Sequence, residues 1–152
     1  MSTADQRRQT RMLVRLREVR MQGAARALEE ARLAAARAEA ERVSADDAAA
    51  TADERLAAAR KDLTADPGEA ERLLAVTDHR RFRQSVARSA LADAREAERL
   101  ATERERDRRR QMILARHRHD RIAEHADRLA RRWARLDEER TASEIDEARR
   151  PG

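Results

Sequence analysis

Apolar side chains recur along this chain at intervals of three and four residues, the spacing that gathers them on one face of an α-helix. Met21, Leu28, Ala35, Arg42, Ala49, Leu56 and Leu63 stand seven apart, and Ala24, Ala31, Ala38, Ala45, Ala52 and Ala59 form a row beside them. A seven-residue repeat sustained over about six heptads predicts a coiled coil, and an all-alanine row permits close approach of the partner helix. Before it, Met12, Leu16 and Val19 form a shorter stripe in a different register. In the second half, Leu73, Leu74 and Val76 begin a stripe that Phe82, Val86, Ala90, Ala94, Ala97 and Ala101 continue. Glu105 and Arg108 interrupt it, and Met112, Ala115, His119, Ile122, Ala126, Leu129, Trp133 and Leu136 resume it in strict alternation.

Asp66-Pro67-Gly68-Glu69 divides the two halves. Asp66 is suited to cap a helix, Pro67 fits a first helical position, and Glu69 sits where a capping box takes a carboxylate. At the amino terminus Ser2 or Thr3 is placed to cap, and Pro151-Gly152 is a stop. The expected fold class is all-α: two long helices in an antiparallel coiled-coil hairpin, the second helix longer. Its parts are a helix over about 5–64, a turn at 65–68 and a helix over about 67–149, in one domain. At ~1.5 Å per residue the arms are about 90 and 120 Å long, and residue i lies opposite about 131 − i. Met12, Leu16 and Val19 then face His119, Ala115 and Met112. Both stripes weaken near Gly23 and Arg108, where a loosening is expected. Ile122, Leu129, Trp133 and Leu136 lie at or beyond the height where the first arm loses its apolar residues. An exposed apolar stripe marks an interface, so these four are candidate partner-binding residues.

Composition supports helices over a globular core. Charged residues make up 43% of the 152, and the 40% that are hydrophobic are mostly alanine, which buries little area per residue. So polar a chain invites a disordered reading, but Ala, Arg, Glu and Leu are the strongest helix formers. With no cysteine there is no disulfide or thiol chemistry. No apolar run reaches the length of a membrane span or a signal core, so a cytoplasmic protein without direct membrane insertion is expected. The net charge of +5 is unevenly spread: residues 1–24 carry six Arg against two acids, and 104–135 carry twelve against five. Residues 136–152 reverse the balance, with three basic and six acidic. Folding at Pro67 brings the two basic blocks side by side at the end bearing both termini.

Catalytic and metal chemistry is not expected. Three glycines, Gly23, Gly68 and Gly152, make no phosphate-cradling loop. His79, His117, His119 and His125 contain no i,i+4 pair, and a two-helix hairpin has no cavity for a catalytic constellation. The reading is therefore a non-enzyme with no catalytic residues, no metal and no cofactor. Acids interleave the Arg104–Arg110 run and Trp133 is the sole tryptophan, so a nucleic-acid partner is not expected either. The basic end suits an acidic protein surface.

The chain resembles the FliJ/YscO family, the central-stalk proteins of type III secretion export ATPases. The segment Leu13-Val14-Arg15-Leu16-Arg17-Glu18-Val19-Arg20, the stretch Ala24 to Ala38, the Arg-rich Arg104 to Arg121 and the acidic Asp137 to Glu147 carry the resemblance. It implies a cytoplasmic stalk at a bacterial secretion apparatus, monomeric alone, whose two-terminus end enters a hexameric ATPase ring. On that resemblance Arg7, Arg8, Arg11, Arg15, Arg116, Arg118 and Arg121 would meet the ATPase. Leu63, Leu73, Val76, Phe82 and Val86 would contact the export-gate protein or secretion chaperones. The alternative is a structural coiled coil that self-associates through the Ile122/Leu129/Trp133/Leu136 stripe.

Overall fold

In the computed structural model, which describes residues 2–150, the chain is an all-α helical hairpin with no strands among those residues. Helix α1 spans Thr3–Ala65 and helix α2 spans Ala70–Arg149, 63 and 80 residues long, so the second helix is the longer. The Pro151-Gly152 stop lies outside the described residues.

Each helix end is set by local chemistry. Ser2 and Asp5 close a reciprocal cap, in which the Asp5 amide donates to Ser2 Oγ and the Ser2 amide to Asp5 Oδ2. This satisfies donors that the first turn leaves without partners. At the connection, Asp66 Oδ1 accepts from the Gly68 amide and Pro67 opens a single 3-10 turn, Pro67–Glu69, which leads into α2. The capping role expected of Asp66 and the first-turn place of Pro67 hold. Glu69 differs: its carboxylate pairs with Arg72, one turn into α2, because that guanidinium lies within reach at i+3.

Two compact units make up the chain: a turn unit, residues 28–107, and a terminal unit, residues 1–27 with 108–152. In the turn unit the heptad rows of α1 face inward as their period requires. Leu28, Ala49, Leu56 and Ala59 are buried, and α2 supplies buried Leu91 and Thr77, whose hydroxyl donates to the Leu73 carbonyl. The inward positions of α2 here include Leu73, Arg80, Gln84, Ala87, Ala94, Glu98 and Ala101. Phe82 and Val86 are 65% and 47% exposed. They were expected in the seam. They stand on the back of α2, because the phase that carries Thr77, Leu91 and Ala94 inward leaves them outside.

In the terminal unit the inward positions of α1 are Arg7, Thr10, Val14, Arg17, Met21 and Ala24. This continues the Met21 row backwards by sevens, so the register change expected between Val19 and Met21 does not occur. Met12, Leu16 and Val19 are exposed. A helix turned by its long alanine-lined run presents a single inward face, and Arg7 and Arg17 occupy it by laying apolar stems along it. Opposite, Met112, Ala115, His119, Ile122, Ala126, Leu129 and Trp133 are half-buried, as the three–four alternation predicts, while Leu136 is exposed.

The pairing register also differs from the expected one. Arg42 Nε meets Glu98 Oε2 at 3.1 Å, Gln84 Nε2 donates to Asp53 Oδ1 at 2.7 Å, and Arg7 meets Asp137 at 2.7 Å. Counting outward from Asp66 would have set Arg42 against Ser89 and Arg7 against Glu124. The 3-10 turn moves the origin of the count. The tilt of each Cα–Cβ bond towards its own helix's N-terminus shifts opposed side chains further in the same direction.

Candidate interaction surface

The register decides which candidate residues are free to bind. Ile122, Leu129 and Trp133 were expected to lack an intrachain partner, and they do not. Arg7 lies with its guanidinium carbon 5.4 Å from the centre of the Trp133 ring, in cation–π reach, and ion-pairs with Asp137. Trp133 therefore sits at the level of the first turns of α1. Of the four stripe residues only Leu136 remains exposed, at 47%.

Arg7 is tied into this cluster. Its hydrogen bond to Asp137 holds that carboxyl below the ordinary carboxylate range, outweighing the opposing effect of desolvation, and the charges of Arg7 and Arg140 add to it in the same sense. A lowered folded pKa adds stability that is present above the unfolded value, near 4, and is lost as pH falls through the folded one. Acidifying the protein below about pH 4 should therefore loosen the Arg7–Trp133 contact and shift the emission of the sole tryptophan. Asp137→Asn should show the shifted emission already at neutral pH. An acid emission profile identical in wild type and Asp137→Asn would remove Asp137 from the cluster.

The other expected ATPase-binding cations, Arg8, Arg11, Arg15, Arg116, Arg118 and Arg121, are all exposed and make no ion pair within the described residues. They do not form one level. The Arg7–Trp133 contact places Arg8 and Arg11 beside the stretch of α2 that carries Arg128, Arg131 and Arg132. The Arg116–Arg121 stretch lies level with Val19 to Ala24. Arg128 and Arg131, also exposed and without an ion pair within the described residues, therefore share the level of Arg8 and Arg11. Correct register was the missing signal.

The residues implied for a gate or chaperone contact separate in the same way. Leu63 and Leu73 are half-buried at seam positions, whereas Val76, Phe82 and Val86 are exposed on the turn unit. Phe82 and Val86 are one turn apart and share an outward face.

A cleft of ≈ 250 Å³ in the turn unit is lined by Arg32, Ala35, Ala36, Glu39, Glu98, Thr102 and Glu105. Among the described residues no group of three or more His, Cys, Asp or Glu is placed to hold a metal ion. No described helix is long and apolar enough to cross a membrane. No protein-family model, curated protein or solved structure matches the chain.

Proposed function

We propose that this protein is a non-enzymatic stalk and adaptor of a type III secretion export ATPase. Its terminal unit would enter the hexameric ring, and its turn unit would meet the export-gate protein or secretion chaperones, at the cytoplasmic face of the apparatus. The observation that carries the reading is the set of exposed arginines without ion pairs in the terminal unit, Arg8, Arg11, Arg128 and Arg131 among them. Unpaired cations on a helical scaffold steer and orient an acidic protein partner without requiring a pocket. Phe82 and Val86, exposed on a different unit, supply a separate apolar contact. A scaffold with two such surfaces links partners and needs no chemistry of its own. Self-association through Trp133 is the weaker reading, because Arg7 already occupies the ring face.

The test is stimulation of a purified export ATPase by the full chain. Reversing Arg8, Arg11, Arg128 and Arg131 to Glu should reduce stimulation by at least about tenfold, while Phe82→Ser should leave it intact and weaken gate or chaperone binding. Undiminished stimulation by the quadruple variant would sink the electrostatic docking.

A further inference from the structure

The back of α1 in the terminal unit carries a second apolar row that the hairpin does not use. Met12, Leu16 and Val19 are 64%, 44% and 64% exposed, and with Gly23 they are spaced four, three and four residues apart. That is the spacing of a coiled-coil seam, on the face opposite the seam that holds the hairpin together. At 100° per residue this row is flanked by Arg8 and Arg15 on one side and by Leu13 and Arg20 on the other. The three arginines are exposed and make no ion pair within the described residues.

Gly23 is the telling member. Glycine inside a long helix is destabilising relative to alanine, through backbone entropy. Nothing among the described residues requires it: no described glycine has positive φ, and a Cβ built at position 23 meets no atom within 4 Å. The open space over position 23 leaves room for another backbone to come close, as the all-alanine row does inside the turn unit.

We propose that the Met12/Leu16/Val19/Gly23 face is a docking site for an acidic amphipathic helix of a partner protein, which lies along α1 as a third helix. Its apolar residues fill the row, its backbone passes over Gly23, and its flanking Asp or Glu meet Arg8, Arg15 and Arg20. Charge selects this occupant. A second copy offering the same face would set arginine against arginine. An anionic membrane suits a broad apolar face with bulky anchors, and this one is a single row without an aromatic residue. The site does not depend on the stalk reading, and its test uses no ATPase.

The probe is a synthetic helical peptide of about three heptads, with Leu and Ile at the first and fourth positions and Glu at the flanks. A second peptide carries Lys in place of Glu. Fluorescence anisotropy on the full chain should show the Glu peptide binding more tightly at low salt than at high, and the Lys peptide not binding. Leu16→Glu should weaken binding by at least about tenfold with the helical circular dichroism unchanged. Gly23→Ala separates docking from folding: it should raise the melting temperature by a few degrees while weakening the peptide several-fold. The proposal is overturned if the Glu peptide fails to bind wild type, if the Lys peptide binds equally, or if neither substitution affects binding. Leu16-dependent binding to phosphatidylserine vesicles without peptide binding would assign the face to a membrane. Self-association of wild type that Leu16→Glu abolishes would assign it to a second copy's acidic segment.

Discussion

Leu56→Ala is expected to cost about 2–3 kcal/mol of stability, the largest loss from any single truncation in this chain. Leu56 is 2% exposed and is the largest side chain so fully enclosed. Its neighbours along the face, Ala52 and Ala59, are alanines that bury little each. The seam therefore leans on a few large residues, and removing one takes away about three methylene equivalents at ~0.8 kcal/mol each. A two-helix seam collapses or admits water more readily than a globular core. This places the value towards the lower part of the range for leucine truncations. Urea unfolding followed by far-UV circular dichroism should show a lower midpoint with unchanged slope. Leu33→Ala is the control, since Leu33 is 51% exposed on the outer face and should stay within about 0.5 kcal/mol of wild type. Equal losses from the two substitutions would mean that the buried seam is not the source of stability.

The second large effect concerns Arg42 and Glu98, an ion pair set into the seam. Their side chains are 28% and 29% exposed, Nε lies 3.1 Å from Oε2, and Arg42 also reaches Asp46 at 4.0 Å. Half-buried charges lose much of their hydration and recover it chiefly from each other, so removing Arg42 strands Glu98 and removing Glu98 leaves Arg42 with the longer contact to Asp46. Glu98→Ala and Arg42→Ala should each cost about 1–2 kcal/mol. The double substitution should cost less than the sum of the two. Leucine at both positions should be neutral or stabilising, since well-packed apolar residues replace buried pairs without loss. A pair so placed also fixes register, as a polar residue at a seam position does in other coiled coils. The Leu/Leu variant should accordingly broaden the amide spectrum while retaining helicity. Strict additivity of the two alanine variants would show that the pair contributes nothing through their mutual contact.

The heptad rows from Met21 to Leu63 were legible because a seven-residue period repeated many times leaves a helix one face to bury. The Asp66-Pro67 connection was legible for an equally local reason, since a capping carboxylate and a proline act on their own turn. Met12, Leu16 and Val19 were misassigned because they are more apolar than Arg7, Thr10 and Arg17, which hold the inward positions. Local hydrophobicity favoured one face and the phase of the longer run imposed another. Phe82 and Val86 were misassigned in the same way. Both errors uncovered outward apolar surface on which a partner can act. The Trp133 stripe shows the reverse case, a surface expected to be open and found shared with Arg7.

By itself the sequence determined two helices, their approximate ends, the phase of the alanine-lined seam and a basic excess in residues 1–24 and 104–135. These follow from short-range effects: side-chain periodicity, capping and the count of charges. Only the tertiary structure decided which residue of α2 stands opposite which residue of α1, because that depends on the turn's geometry and the tilt of every side chain. The pairing in turn decided function-bearing exposure. It covered Trp133 and Arg7, set Arg8 and Arg11 level with Arg128 and Arg131, and left Met12, Leu16, Val19 and Gly23 on an unused face.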